Sequence, residues 1–471
     1  MTDPVWVAVQ KGRHRTRVKV YARKVRSSRQ FTGADPARLP IVEGPRLRIA
    51  VVGYGVEGRA AVDYWLDKGD VTVCAPKLDT DTPEGVAIRV GPDYLAGLNE
   101  FDLVVRSPGV RPDLIPPGIA TTSVIREFLR ACPAPVIGVT GTQGKGTTCT
   151  AITSILRAAG QRVFLAGNIG VPPLTFLSGV RADDWVVLEI SNFQLMDCSS
   201  SPHISVVLPI TPDHVNWHTE LSEYYESKAP IAAFQNPNDV IVFRADNPIA
   251  SGIAARSPGR PVPVGRPDGF NVRESGIFRG QTRIVDVADV HLLGRHNLEN
   301  IAAAVAATHD IVGGDPSVIQ AGVRTLEPLP HRLAPVGEVD GVLYVNDSLS
   351  TTPETSRAAM AAFTAPKVVI LGGSSKGVTY ETLAEAVMTC GVRRALVVGQ
   401  DGPAIASALH AHGFTDYELV EGPMSAIVNR AASVAYPGDV VLLSPACASL
   451  DNYRNYADRG DQFIAAVGSL G

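Results

Sequence analysis

The stretch from Val136 to Thr150, V-I-G-V-T-G-T-Q-G-K-G-T-T-C-T, leaves few folds open to this chain. Val136, Ile137 and Val139 read as a short buried strand. Gly138, Gly141, Gly144 and Gly146 surround Lys145, and Ala151, Ile152, Ile155 and Leu156 follow at helical spacing. Strand, glycine loop and helix in that order make a phosphate cradle. Glycines let backbone N–H groups turn toward an anion, the helix N-terminus adds a favourable dipole, and lysine supplies a point charge. The spacing departs from G-x-x-x-x-G-K-[ST]. The first glycine belongs at 139, which is Val139, and Gly138 comes one residue early. Gly146 follows Lys145, so the hydroxyl that would meet Mg²⁺ moves to Thr147 or Thr148. The alternative is an ordinary glycine-rich turn. Lys and Thr after the loop favour a nucleotide-phosphate site, and the reaction has to be read elsewhere in the chain.

A chain of 471 residues is too long for one ordinary core, so several domains are expected. A net charge of −4 gives no electrostatic case for nucleic acid as a partner of the whole chain. No run approaches the length of about 18 apolar residues that a membrane span needs, and no apolar signal segment opens the chain. The six cysteines lack C-x-x-C pairs, which predicts reduced thiols in a cytoplasmic protein, with no disulfides and no zinc site. Nine Lys/Arg and no acid lie between Lys11 and Arg29. A flexible extension, or an edge strand with a solvated face, is preferred there over an arm touching RNA or membrane.

From Leu47 the text becomes regular. L-R-I-A-V-V-G reads as a strand, then come Gly53, Gly55 and Gly58 in G-Y-G-V-E-G, a helix from Arg59 to Lys68, and the strand V-T-V-C-A. This fits G-x-G-x-x-G in its strand–helix context. The acid expected after the second strand is missing, because the strand ends Cys74-Ala75-Pro76-Lys77. The loop is therefore a diphosphate site for a ligand other than NAD, or only a close helix–strand contact. D-L-V-V-R-S-P-G-V (102–110) is another strand with a Ser-Pro-Gly turn.

After the phosphate loop, V-F-L-A-G-N-I-G (163–170) is a strand ending in a Gly-Asn turn. W-V-V-L-E-I-S (185–191) carries Glu189 near its end, placed to hold Mg²⁺ or its water shell, or to serve a buried hydrogen bond. I-S-V-V-L-P-I-T-P-D-H (204–214) runs into Asp213 and His214 at a strand C-terminus, where open α/β sheets place their sites. Y-Y-E-S-K-A-P-I (224–231) reads as a helix with Lys228, and spacing alone leaves that lysine a solvated residue. Asn297 and Asn300 open an alanine-rich helix and either cap it or bond a ligand. The last third begins with P-H-R-L (330–333) and holds strands at 341–348, 367–373, 394–399 and 439–446. The expected fold is α/β in three domains: Rossmann-like at 46–134, P-loop ATPase-like at 135–333 and Rossmann-like at 334–471, after a basic extension at 1–45.

Taken together, G-V-T-G-T-Q-G-K-G-T-T, G-N-I-G, E-I-S-N-F-Q-L, D-H, G-R-H-N-L-E-N, P-H-R-L and S-P-A-C-A-S-L-D resemble, in that order, the motifs of the Mur ligase family. The resemblance covers 47–471. It implies an ATP-dependent amide ligase of peptidoglycan precursor synthesis, acting as a monomer. S-P-A-C-A-S-L-D-N-Y with R-G-D-Q-F is similar to the members that add D-glutamate to UDP-N-acetylmuramoyl-L-alanine, and it argues against a folylpolyglutamate synthase, which shares G-K-G. The retained Lys145, Glu189, His214 and Lys228 argue against a non-catalytic nucleotide-binding protein.

The resemblance also assigns roles. Gly141, Thr142, Gly144, Lys145, Gly146, Thr147, Thr148, Asn297, Asn300, Arg332 and Asp347 match ATP contacts. Thr147, Glu189 and His214 match Mg²⁺ ligands, and Lys228 matches a lysine that CO₂ converts to a carbamate able to hold a second Mg²⁺. Asn168 and His214 match positions facing the acyl phosphate. Gly55, Ser107 and Gly109 match the UDP-sugar site, and Thr351, Lys376, Ser449 and Tyr456 the amino-acid site. Two departures stand out. N-D-S-L-S-T-T-P (346–353) has Leu349 where the family has a lysine, which opens the alternative of L-glutamate as acceptor. Ala75-Pro76 replaces the polar pair at the uridine end.

Overall fold

The computed structural model describes residues 5–11, 14–20, 46–78, 80–213, 217–327, 330–374 and 378–470. Residues 1–46 and 47–471 are two units. In the first, β1 (Val5–Lys11) and β2 (His14–Val20) form an antiparallel hairpin, with Val5 opposite Val20 and Lys11 opposite His14. Residues 12, 13 and 21–29 of the basic stretch lie outside the described residues.

The second unit is α/β and is built on three largely parallel sheets, the class that the alternating strand and helix patterns predict. The first sheet follows β3 (Leu47–Val52), α1 (Val56–Trp65), β4 (Gly69–Ala75), β5 (Ala87–Val90), β6 (Leu103–Arg106) and β7 (Thr121–Thr122), with α2 (Val124–Ala131) after it. Its order is β5-β4-β3-β6-β7, all parallel. Ile49 to Val52 are wholly buried, as a central parallel strand covered on both faces requires. Gly58 serves packing: a Cβ there would sit 2.1 Å from the Gly53 carbonyl oxygen. The third glycine of the motif is thus a close helix–loop contact.

The central sheet follows β8 (Val136–Thr140), α3 (Lys145–Ala158), β9 (Val163–Gly167), β10 (Trp185–Glu189), α4 (Asn192–Leu195), β11 (Ile204–Val207), α5 (Leu221–Glu226), α6 (Pro230–Ala233), β12 (Val240–Arg244), α7 (Pro248–Ala254) and β13 (Arg260–Val264). It continues through β14 (Phe270–Arg273), β15 (Gly276–Arg279) and β16 (Thr282–Asp286) to α8 (Arg295–Thr308) and α9 (Pro316–Arg324). The strand order β16-β15-β14-β13-β12-β11-β8-β10-β9 sets β8 between β11 and β10, so the phosphate loop leaves an inner strand. β13 to β16 are an addition that the sequence reading does not predict. R-P-V-P-V is a poor strand on paper, since Pro261 and Pro263 lack donors. It is tolerated because β13 meets β14 only at Val264 and Phe270.

One apolar cluster runs through Ile49, Val62, Val105 and Phe128 into Val136, Leu188, Ile190 and Ile231. The first and central sheets thus share a core. Arg106 reinforces this seam: its guanidinium lies 2.5 Å from the Asp197 carboxylate and donates to the carbonyl oxygens of Phe193 (2.9 Å) and Ser107 (3.2 Å).

The last sheet follows β17 (Ala334–Val339), β18 (Val342–Asn346), α10 (Pro353–Ala361), β19 (Lys367–Gly372), α11 (Glu381–Thr389), β20 (Val392–Val398), α12 (Gly402–Ala411), β21 (Tyr417–Leu419), α13 (Met424–Val434), β22 (Val440–Leu443) and α14 (Tyr456–Gly468). Its order is β17-β18-β22-β19-β20-β21, with only β17 antiparallel. Alternation along β19 sends Val369 and Leu371 to the face of α11 and α12, and Val368 and Ile370 to that of α13 and α14. No helix among the described residues is long and apolar enough to cross a membrane.

Candidate active site

β8 is buried at every residue and delivers its loop to the C-terminal edge of the central sheet. Gly144 caps α3 at φ 83°, and a Cβ there would lie 2.1 Å from Asn300 Oδ1, so only glycine fits. Lys145 opens the helix and folds back. Its Nζ donates to the carbonyl oxygens of Thr142 (2.9 Å) and Gly141 (3.2 Å). Burial holds this ammonium below the usual lysine range, while the charges of Glu189 and Asp213 oppose the shift.

The two candidate hydroxyls separate. Thr148 is wholly buried and donates to the Asn300 carbonyl oxygen at 3.4 Å, whereas Thr147 lines the large cavity described below. Asn297 and Asn300 do not cap α8, whose N-cap is Gly294 without a side-chain bond. Asn297 Nδ2 donates to the Leu293 carbonyl oxygen (2.7 Å), and Asn300 Nδ2 to Asn297 Oδ1 (3.4 Å). The pair braces the phosphate loop from behind. Glu189 ends β10 and accepts from Asn168 Nδ2 at 2.8 Å, while Asn168 N donates to the Glu189 carbonyl oxygen at 2.8 Å. This double tie fixes both side chains at the mouth of the loop.

Lys228 does not sit on a helix. Glu226 ends α5, Ser227 follows it, and α6 starts at Pro230, so the lysine lies in the connecting turn. It is 2% exposed, its Nζ donates to the Gly141 carbonyl oxygen at 3.2 Å, and it lies 4.7 Å from the Tyr224 ring centre. Burial first, and then the charge of Lys145, push its pKa down to about 7, with Asp213 opposing. The solvated lysine of the spacing argument is in fact desolvated against the phosphate loop.

A cavity of about 1280 Å³ joins these elements to the last sheet. Gln143 to Thr147, Asn168, Glu189, Asp213 and Trp217 form one wall; His331, Arg332, Leu349, Thr351, Thr352, Thr355, Val378 and Tyr456 belong to the other. Asn297 joins Thr147 and Arg332 around a narrower recess beside it. Gly55, Ser107 and Gly109 do not line the cavity; the Ser107 hydroxyl donates to the Gly53 carbonyl oxygen at 2.9 Å. Asp347 and Ser449 are buried outside its lining. Asp347 accepts from Leu333 N (3.1 Å) and the Ser444 hydroxyl (2.6 Å), and burial pushes its pKa up to about 6. His214 and Lys376 lie outside the described residues.

Sequence reasoning overlooked an aromatic column beside the cavity. The Trp217 ring is 4.7 Å from both Phe193 and His218, and His218 is 5.5 Å from Tyr224. Arg111 of the first sheet's loops covers Trp217 at 5.0 Å. The signal was the W-H pair, Trp217-His218, two residues beyond D-H.

Residues 139–308 match the model of the Mur ligase middle domain, and 331–447 that of the Mur ligase, glutamate ligase domain. A UDP-N-acetylmuramoylalanine–D-glutamate ligase of Symbiobacterium thermophilum is 38% identical over 450 residues, covering 90% of this chain and 98% of the relative. Its counterpart in Pelotomaculum thermopropionicum is 36% identical with the same coverage. Among solved structures, UDP-N-acetylmuramate-alanine ligase MurC of Thermotoga maritima has a TM-score of 0.59 at 17% identity, covering 90% of this chain and all of the other. MurF ligase of Thermotoga maritima in complex with ADP has 0.58 at 18%, covering 91% and 97%. These two share the fold. With both family domains in order and relatives above 30% identity along nine-tenths of its length, the chain is an ATP-dependent ligase and belongs to the Mur ligase family.

Proposed function

We propose that this enzyme adds D-glutamate to UDP-N-acetylmuramoyl-L-alanine, spending ATP. The observation that carries the reading is the single cavity with the phosphate loop on one wall and Leu349, Thr351 and Tyr456 on the other. The names printed for the relatives support the choice of substrates. A carboxylate oxygen of the nucleotide-sugar substrate attacks the γ-phosphorus of ATP, the bond to the β,γ-bridging oxygen breaks, and ADP leaves. The glutamate amine then attacks the acyl carbon, gives up a proton, and the C–O bond to phosphate breaks. Lys145 and the loop N–H groups hold the charge that spreads over the phosphoryl oxygens. Asn168, locked by Glu189, orients the acyl oxygen. Gly55, Ser107 and Gly109 serve the UDP end, and the functional segments are 46–134, 135–333 and 334–471.

Thr147, Glu189 and Asp213 offer a hydroxyl and two carboxylates to one cavity, a hard-oxygen set that suits Mg²⁺. His214 is the further ligand expected there. Mg²⁺ bound at these groups supplies charge neutralisation to the transferring phosphoryl group. Lys228 fits carbamate formation because only a neutral amine attacks CO₂, and an amine whose pKa is pushed down to about 7 is mostly neutral above that pH, where an ordinary lysine stays charged. A C–N bond forms and one proton leaves. Lys228→Ala should cut phosphate release by about a hundredfold, with formate restoring part of it. Wild-type rates without formate would remove the carbamate from the mechanism. A base depressed to about 7 protonates below that value. Activity at limiting CO₂ therefore falls as pH drops through about 7, and added bicarbonate moves the fall to lower pH.

Leu349 favours a second reading. It removes a cation from the acceptor wall, where the amino acid brings two carboxylates. L-glutamate is then the acceptor. Phosphate release measured with ATP, UDP-N-acetylmuramoyl-L-alanine and each glutamate enantiomer separates the two. Release with D-glutamate is expected. Release with L-glutamate alone would replace that choice, and no release with either would end the ligase assignment of substrates.

A further inference from the structure

A second cavity, of about 660 Å³, opens in the last sheet and shares no residue with the first. It lies at the C-terminal ends of β19, β20 and β22, on the side of α13 and α14. Chain order reverses here: β19, β20 and β21 step one way, and β22 returns to the other side of β19. Open α/β sheets bind ligands at such crossovers. The floor is apolar, with Ile370, Val398, Leu443 and Ile427, and Tyr453 supplies an aromatic wall. Its volume falls in the range of small-molecule sites, roughly 300–1000 Å³.

The polar groups around this floor have a definite character. Asp451 is held by its Oδ2, which accepts from Gln400 N at 3.1 Å. Its Oδ1 is buried with no hydrogen-bond partner among the described residues. Gly399 keeps the two loops together, since a Cβ there would lie 2.5 Å from Asp451 Oδ2. Glu421 adds a second carboxylate. The one guanidinium, Arg459, is spent on Ser348, Cys447 and Ala448 oxygens. Phosphate therefore finds carboxylates and no available side-chain cation among the described lining residues. Glu421, just before α13, also brings negative charge to that helix end. A ligand with paired hydroxyl donors and a flat apolar body meets both halves of the site.

We propose that this crevice binds a nucleoside without phosphate, its ribose hydroxyls donating to Asp451 and its base lying over the apolar floor beside Tyr453. The proposal is independent of the acceptor and of the ligase chemistry. The test is calorimetric titration of the full chain with adenosine and with uridine, the ATP site being filled with ADP and Mg²⁺. Asn452→Trp and Glu421→Lys change exposed positions of the rim, outside the cavity of the phosphate loop. At least one nucleoside should bind at a single site, with either variant weakening it by about tenfold or more and ADP affinity unchanged. Adenosine 5′-monophosphate should bind more weakly than adenosine. No binding of either nucleoside, binding untouched by both variants, or tighter binding of the monophosphate would each overturn the proposal.

Discussion

Lys145→Ala should lower kcat for phosphate release by about a thousandfold, close to 4 kcal/mol of transition-state stabilisation. The ammonium now lies 2.9 Å from the Thr142 carbonyl oxygen, at the mouth of the loop where Gly144 to Thr147 line the cavity. It is the one lysine among the described residues of that lining. Charge on a transferring phosphoryl group grows toward its oxygens, so a fixed cation acts on the barrier more than on ground-state binding. ADP affinity should therefore change far less than kcat, and the melting temperature little. Among the described residues the lysine bonds only its own loop and supports no other element by a hydrogen bond. A loss below tenfold in kcat would remove Lys145 from the chemistry.

Arg106→Ala should cost about 3–5 kcal/mol of stability, the penalty for leaving a buried charge without its partner. Arg106 is 1% exposed, and Asp197, 2.5 Å away, is 11% exposed. Burial already raises the pKa of Asp197 while Arg106 holds it down. Removing the guanidinium leaves that carboxylate and the Phe193 carbonyl oxygen without their donor. Thermal and denaturant unfolding of the variant measure the effect. A double variant, Arg106→Leu with Asp197→Leu, should recover most of the loss, because two apolar groups replace both partners. A single-variant loss under about 1 kcal/mol would show that the seam between the first two sheets rests on apolar contact alone.

The local recipe of this fold was legible because it is written in short range. Strand, glycine loop and helix around Lys145 follow from period and turn chemistry, and the parallel sheets from the alternation of apolar runs with helices. What the sequence could not display was the environment of single groups. Lys228 reads as a solvated helical lysine, but Pro230 breaks the helix and tertiary packing puts the amine against Gly141 and Tyr224. Asn297 and Asn300 read as caps or ligands; neither caps α8, and Asn300 lies against Gly144 of a loop more than 150 residues earlier, a contact that spacing does not display. The shared core of the first two sheets is invisible for the same reason: both partners show ordinary apolar strands. Beyond the motifs, the resemblance named residues that the structure puts in different surroundings. Thr351 and Tyr456 face the cavity, while Asp347 and Ser449 are outside its lining.

His331 and Leu333 carry the chain in left-handed backbone, at φ 61° and 44°, a costly choice for such side chains. Three bonds hold them there. Leu333 N donates to Asp347, Asn346 Nδ2 lies 3.1 Å from His331 Nδ1, and Leu349 N donates to the His331 carbonyl oxygen at 2.9 Å. Arg332 is therefore riveted to the last sheet although it borders the recess shared with Thr147 and Asn297 of the central segment. On the proposed reading, a nucleotide gripped by this guanidinium would pull directly on the sheet that carries the acceptor wall. On that reading the affinity for ATP is a gauge of how the two halves are set, and a glutamate that rearranges the acceptor wall would be felt by the nucleotide through one residue.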